Sequence, residues 1–596
     1  ALEECLRTAI ERQNISELQL DDLVMLVQTA LNNLGLTVDS TELANCAVHW
    51  STLLALPRGG RDWALHARAV TDRVARWVQD FTRDFYQRLQ PVAEALGAEF
   101  HAEAWTISLF SEEVIRGGPA FLLSLLLRPL DRLLREQAGL GGWQVISPAR
   151  VGGKVRPVQR LVDVQSERFA EPTVLVADEV SGEEEIPQGT TAVLTCDAPD
   201  LVSHVAVRAR NAGVLFATCF DAEEYQRLKT FAGKPLSLVV TPSGDVEYQE
   251  GNVGWVKRSE THPEARWVSL RLTHPTFWAI DPDEFKPDLV GGKSTNLNGL
   301  RGRLADWIHL PKSIALPFGV LERVLDDERN RRVKEECQAL IAAAGENPSE
   351  ALAQVRSKLL QLEPPRQLQE ALHEHWQRAA LPPVPWQQTW HSIRRVWASK
   401  WNDRAYLSRR ACGIPHESLH MAVLIQEVVP ADYAFVIHTA NPITGEREEI
   451  FAEVVLGMGE TLVGNYPGRA LSFLCRKNDL KPELLSYPSK SLGIYGKGVI
   501  FRSDSNGEDL PGFAGAGLYD SFLAEEPEQR CLDYRGEKLV WDAAFRDNLL
   551  RSIARIGVEV ERLIGSAQDI EGAVGGDRFH VVQTRPQVGL GNEPEA

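Results

Sequence analysis

At 596 residues the chain is too long for one hydrophobic core and is expected to divide into three or four domains. Its 64 lysines and arginines against 82 aspartates and glutamates leave a net charge of −18, which argues against nucleic acid as a partner, because phosphate backbones require a basic face. No apolar run is long enough to span a bilayer, so no membrane partner is expected, and eight cysteines without CxxC or Cys/His ligand spacing point to a reducing compartment. The chain opens at Ala1 with neither Met nor an apolar signal core, which reads as a processed or partial form.

Residues 1–140 read as helical throughout, in periodic runs such as ELQLDDLVMLVQTALNNLGL and WALHARAVTDRVARWVQDF. They carry no motif of chemistry, and His49, His66 and His101 fall apart from one another on separate predicted helices. From Gly141 the pattern changes to short β-rich runs with turn residues between them: WQVIS, VRPVQRLVDV, PTVLVADEV, TTAVLTC, VLFATC, LSLVVTP and DVEYQE. They predict a compact β/α domain over 141–257. Within it, Asp200 after Pro199 predicts an N-cap and Gly213 a helix stop. His204 then lies about one turn inside a helix N-terminus, where backbone N–H groups and the dipole favour an anion, and Arg208 shares its helix face four residues on. That geometry suits a phosphoryl group carried on the imidazole, and it equally suits an ordinary histidine at a helix start.

A polar stretch, RSETHPEAR at 258–266, predicts a flexible tether, with the linker extending to 280. In DLVGGKSTNLNGLRG, Gly291, Gly292 and Lys293 precede a helix-compatible run and offer backbone amides and one ammonium to phosphates, although the spacing is not that of a Walker A loop. Residues 322–400 are helical and charged. The HEH of 373–375 lacks a carboxylate at ligand spacing and reads as solvated, like His391. Arg404, Arg409 and Arg410 form either a cationic cluster or a basic helix face. Paired strands follow from Met421, then Arg502 leads from a strand into a Ser/Gly-rich loop whose GFAGAG can close on phosphates. The last run, QDIEGAVGGDRFHVVQTRP, predicts a hairpin turning on Gly575 and Gly576. Glu571 and Gln583 face each other across it and, with Asp569, offer oxygens to a hard cation, while Arg585 points to the same place.

The string LSHVAVRARNAGVLFATCFD resembles the phosphohistidine segment of the alpha-glucan, water dikinases, starch-phosphorylating relatives of phosphoenolpyruvate synthase and pyruvate, phosphate dikinase. GGKSTNL and PKSIALPFGV resemble the segments that open the nucleotide domain of that family, and EEVIRGGPA resembles part of its linking region. The resemblance implies a multidomain α+β chain: a helical N-terminal region (1–140), a β/β/α swivelling phosphohistidine domain (141–257), a linker (258–280) and an ATP-grasp-like nucleotide-binding domain (281–596). It implies ATP and Mg2+ as cofactors. Catalytic residues would be His204, Arg208, Arg502 and Arg585; nucleotide contacts would be Gly291, Gly292, Lys293, Arg404, Gln426, Glu427, Val429 and Arg502; metal ligands would be Asp569, Glu571 and Gln583.

The implied reaction moves the β-phosphoryl group of ATP to His204, then to a glucosyl hydroxyl of an amylopectin-like α-glucan, releasing AMP and phosphate. The implied compartment is the plastid stroma at starch granules, with the cytosol as alternative, and oligomerisation is left open. Two features depart from the resembling proteins: Leu215 stands where plant members have a cysteine, and the RSDSNGED loop follows the hinge strands, whereas in pyruvate dikinases the matching arginine loop precedes them. With no cysteine three or four residues from Cys219, activity is expected to be indifferent to oxidation there. Rival readings are a phosphoglucan, water dikinase, a phosphoenolpyruvate synthase, which would need a pyruvate-binding domain after QTRP, and an idle glucan-binding scaffold.

Overall fold

A computed structural model describes residues 19–181, 184–197, 204–240, 245–251, 277–344, 348–411, 413–464, 466–507 and 518–587. The expected N-cap at Asp200, the tether at 258–266 and the GFAGAG loop lie outside these residues.

The first β region forms one seven-stranded sheet from β1 (Trp143–Ser147), β2 (Val151–Arg160), β3 (Arg168–Glu179), β4 (Gln188–Thr195), β5 (Leu215–Cys219), β6 (Pro235–Val240) and β7 (Val246–Glu250), in the order β1-β5-β4-β3-β2-β6-β7. The four central strands run parallel and the outer pairs antiparallel. Residues 174–177 of β3 and all of β5 are buried without alternation, as expected where helices cover both faces of a parallel sheet. The helix Ala222–Lys229 covers one face through Tyr225 and Leu228. The helix His204–Ala212 covers the other and stops at Gly213, whose φ of +63° is the left-handed value the sequence predicted a glycine for.

Beyond residue 277 two further sheets face each other. A four-stranded sheet has the order β17-β16-β10-β9, and a seven-stranded sheet the order β14-β13-β12-β11-β19-β20-β8. Their strands are β8 (Ile308–His309), β9 (Ser313–Leu316), β10 (Met421–Glu427), β11 (Tyr433–His438), β12 (Glu449–Leu456), β13 (Leu471–Arg476), β14 (Pro482–Ser486), β16 (Val499–Ser505), β17 (Phe522–Leu523), β19 (Gln568–Gly575) and β20 (Arg578–Pro586). A ribbon of β15 (Leu492–Tyr495) and β18 (Glu528–Cys531) flanks them. Charged helices between 320 and 399 back the smaller sheet, where Trp397, Val396 and Ile393 pack with Val423, Ile425 and Phe501. The helix Ala543–Ile564 backs the larger one. It is capped by the Asp542 side chain on Phe545 N–H and ended by Gly565 at φ +88°.

The helices Leu20–Gly35, Thr41–Leu54, Arg61–Glu99 and Pro119–Gln137 are not a separate bundle. Leu23, Leu31 and Val70 share one apolar cluster with Phe435, Leu550, Ile553 and Val581. Polar contacts reinforce this: Arg61 Nη1 donates to the Leu484 carbonyl at 2.9 Å, and Arg73 donates to the Leu532 carbonyl at 2.9 Å and pairs with Glu42. His49 and His66, expected apart, meet instead with their Nε2 atoms 2.8 Å from each other, and His66 stacks on Tyr487 at 4.6 Å. Antiparallel packing of two amphipathic helices turns both rings into one interior. His101 takes no part and lies exposed at a helix end. The HEH segment also differs from its solvated reading: His375 is bonded to Asp281 at 2.9 Å, with only His373 outward beside Gln377.

Candidate functional site: a cleft between two sheets

Strand periodicity decides which side chains reach the cleft between the two sheets. On β16, Ile500 and Arg502 point into it while Phe501 joins the core on the other face. On β19, Asp569 and Glu571 line it while Ile570 is core; on β20, Gln583 and Arg585 line it while Thr584 between them is fully buried away from it. A two-residue connection at 576–577 closes the hairpin with Gly575 paired to Arg578, and a one-residue bulge further along brings Glu571 directly across from Gln583, the pairing expected from sequence. The turn sits one residue later than predicted, and the ladder absorbs a bulge next to Glu571.

The cavity so formed has a volume of about 460 Å³, within the range of small-molecule pockets. Lys293, Arg404, Gln426, Glu427, Val429, Arg502, Asp569, Glu571, Gln583 and Arg585 all border it, so most of the residues named from sequence converge on one place. Arg502 Nη1 donates to Gln583 Oε1 at 2.6 Å and its Nη2 lies 3.7 Å from Glu571. Arg585 forks onto Asp569 Oδ2 at 2.9 and 2.6 Å. Gln426, 1% exposed, donates to the Val582 carbonyl at 3.1 Å and so stitches the smaller sheet to the larger.

Several placements differ from expectation. Arg502 lies in mid-strand, since β16 continues to Ser505. The amides of Gly291 and Lys293 are not turned to the cavity: both donate to the carboxylate of Asp504, and Lys293 Nζ donates to the Ser503 carbonyl at 2.8 Å and hydroxyl at 3.2 Å. The arginine cluster is split. Arg404 borders the cavity on Asp520 at 2.6 Å, whereas Arg409 is fully buried against the Lys400 carbonyl and Arg410 is exposed. Five residues advance a helix by about 500°, which turns Arg404 and Arg409 to different sides.

Two cavity residues, Asp520 and Glu460, carried no signal in the sequence. Asp520 pairs with Arg404 and accepts from the Asn402 amide at 2.9 Å, and Glu460 borders the cavity with a carboxyl that burial pushes above the usual carboxylate range, the nearby Arg502 charge opposing and Glu571 adding to the shift.

The helix that begins at His204 is linked to this site through a shared apolar cluster. Its Val205, Ala206 and Ala209 share an apolar cluster with Ala434, Val436 and Phe451 of the larger sheet, and Val436 also lines the cavity. Arg208 is 8% exposed, with Nη1 donating to the Glu184 carbonyl at 2.9 Å and Nε 3.2 Å from Glu185.

Comparison with known proteins accords with this pairing of domains. Residues 142–255 match the family described as alpha-glucan water dikinase, phosphohistidine-like domain, and residues 384–469 match the pyruvate phosphate dikinase, AMP/ATP-binding domain. The chain is 47% identical to the alpha-glucan water dikinase, chloroplastic, of Citrus reticulata, an alignment covering 99% of this chain and 41% of that relative. Over nearly its whole length the sequence is similar to the alpha-glucan water dikinases. Likeness to the Solanum tuberosum alpha-glucan water dikinase, chloroplastic, is 46% over 99% of this chain and 41% of the relative; for the Arabidopsis thaliana alpha-glucan water dikinase 1, chloroplastic, it is 45% over 99% and 43%. The chain therefore spans about two fifths of the length of these dikinases.

Proposed function

We propose that this chain is the phosphotransfer part of an alpha-glucan water dikinase, an enzyme that moves the β-phosphoryl group of ATP through His204 to a glucosyl hydroxyl of a starch-like α-glucan. The reading is supported above all by one observation: the helix starting at His204 shares one apolar cluster with the strand whose Val436 lines the cavity, an arrangement suited to collecting a phosphoryl group there. In this reading residues 281–596 form an ATP-grasp-like domain, 141–257 a β/β/α domain that swivels on the 258–280 linker, and 1–140 a helical base.

The triphosphate is bound by Lys293 and Arg502, with Arg404 and Arg585 at the cavity wall, the adenine beside Gln426, Glu427 and Val429, and Gly291 and Gly292 shaping the loop that carries Lys293. Neutral imidazole of His204 attacks the β-phosphorus, forming an N–P bond as the α–β bridge bond breaks and AMP leaves with the bridging oxygen, while water attacks the γ-phosphorus and breaks the β–γ bridge, so the γ-group leaves as inorganic phosphate. Arg502 and Arg585 stabilise the charge that develops, and Arg208 holds the start of the histidine helix against the 184–185 segment. The donors of Asp569, Glu571 and Gln583 are all oxygens, as a hard cation prefers, and they already border one cavity. Magnesium would sit on Glu571 and Gln583 with Asp569 adjacent, completing its ligands with phosphate oxygens and neutralising their charge. The relatives named chloroplastic favour a plastid location, on an α-glucan such as granular amylopectin.

ATP labelled at the β-phosphate, incubated with and without granular α-glucan, tests the relay. Label is expected on His204 without acceptor and in the glucan with it, AMP being the nucleotide product and γ-label appearing only as inorganic phosphate. Stoichiometric ADP, or γ-label in the glucan, would overturn the reading.

A further inference from the structure

Asp504 follows Arg502 by two residues on β16 and is fully buried. Its carboxylate is shared between two amides of a loop more than two hundred residues away: Oδ2 accepts from Gly291 N–H and Oδ1 from Lys293 N–H, each at 3.0 Å. The preceding residue, Ser503, accepts the Lys293 ammonium through both its carbonyl and its hydroxyl. One dipeptide of β16 thus grips the backbone and the side chain of the same loop. It does so at the N-terminus of the nine-residue helix Gly292–Leu300, which has no side-chain cap of its own. A carboxylate there satisfies otherwise orphaned N–H groups and meets the positive end of the dipole.

Gly291 fits this contact by size rather than by backbone freedom. Its φ of −82° is open to any residue, but a Cβ would fall 2.5 Å from Asp504 Oδ1 and 2.7 Å from the Ser505 carbonyl. The glycine admits strand β16 to the loop.

We infer that Asp504 is a positioning residue of the nucleotide site: by docking the 291–293 loop on β16 it fixes Lys293 relative to Arg502, so that the two cations present one spacing to the phosphates. Arg502 and Asp504 share a face of one strand, and Lys293 hangs from the second of them, which makes the separation of the cations a property of the strand. The inference rests on reading the cavity as the ATP site, and extends it to a residue that touches no substrate.

Equilibrium binding of a fluorescent ATP analogue, phosphoenzyme formation from β-labelled ATP across ATP concentrations, and thermal melting test it on the full chain carrying Asp504→Asn, Gly291→Ala or both. Asn cannot accept from both amides, and alanine pushes the loop off an intact carboxylate. Each single variant is expected to weaken ATP binding about tenfold or more and to raise the half-saturating ATP concentration for phosphoenzyme in parallel, with the saturating yield changed less than threefold. The double variant is expected to be no worse than the weaker-binding single variant, because both break one contact. Parental ATP affinity in a folded Asp504→Asn protein with a lowered melting temperature would overturn the inference, and should that variant not fold, unchanged affinity in Gly291→Ala would do the same. A parent chain that binds ATP but forms no phosphoenzyme would overturn the relay while leaving the binding comparison to decide Asp504.

Discussion

Arg502 on β16 donates to Gln583 on β20 at 2.6 Å, and the two residues belong to different sheets. With the Gln426 bond to the Val582 carbonyl, this contact spans the cleft twice at almost the same level of β20. The guanidinium is thereby aimed before any ligand arrives, and Glu571, 3.7 Å away, is set where it feels both Arg502 and whatever binds beside it.

Glu571→Ala is expected to slow phosphoenzyme formation by about a hundredfold or more at limiting magnesium, with partial recovery as magnesium is raised. Measuring the rate of label incorporation across a magnesium titration checks this. A rate equal to that of the parent at limiting magnesium would remove Glu571 from the metal site.

His204→Ala is expected to abolish the acid-labile phosphoenzyme and all glucan labelling, while ATP-analogue affinity stays within about twofold, because the nucleotide cavity is built from residues of other strands. Phosphoenzyme persisting in the variant would place the acceptor elsewhere.

The buried His49 and His66 pair makes stability depend on pH. Burial pushes His49 down to about 3 and His66 well below its ordinary value, so both are neutral in the folded protein while the unfolded chain takes up protons near 6.5. Their folded values are depressed, so the stability they allow is fully present above about pH 6.5 and is lost as pH falls towards 3, at up to about 1.4 kcal/mol per pH unit for each ring. Thermal melts between pH 7 and 4.5 are expected to show a falling midpoint that flattens in His49→Gln with His66→Gln. An unflattened profile would assign the acid sensitivity to other groups.

Cys219 has a neighbour after all. The parallel register pairs Thr195 with Thr218, and the residues that follow them are Cys196 and Cys219. Burial pushes the Cys219 thiol up to about 12, and partial desolvation beside the Asp197 and Asp178 carboxylates pushes the solvent-facing Cys196 up to about 11, so both are overwhelmingly protonated at pH 7.5. Activity is therefore expected to withstand mild oxidant at pH 7.5, as the sequence alone suggested for a different reason, and a Cys196–Cys219 crosslink is expected to form only as pH rises towards 10. Peptide mapping after oxidation at the two pH values checks this; rapid crosslinking at pH 7.5 with loss of activity would refute it.

What could be read from sequence follows from how local each feature is. The strands of the first sheet were legible because their apolar runs are bounded by turn residues, and the last hairpin because of its paired glycines, whereas the Glu571–Gln583 pairing also depends on a bulge beyond the turn that no residue type marks. Asp504 was not legible. In RSDSNGED it looks like one more polar loop residue, and only the approach of a loop more than two hundred positions earlier gives it partners. The same holds for His49 and His66, whose contact depends on which faces two helices turn to each other, and for Arg404 and Arg409, whose shared charge hid opposite destinations. Composition likewise gave no hint that the N-terminal helices share their interior with the nucleotide sheets.

That shared interior bears on the order in which the chain acquires its shape during synthesis. One apolar cluster joins Leu23 to Val581, so the base of the molecule cannot close until β20 has been made, whereas the cluster behind β5 and the helix Ala222–Lys229 draws only on residues between 143 and 248. On a ribosome the half of the His204 domain behind the helix Ala222–Lys229 can mature early, while the helices made before it wait with their apolar faces uncovered for strands made hundreds of residues later. Premature termination anywhere between 300 and 580 would leave those faces open, and such fragments are candidates for chaperone capture rather than for partial activity.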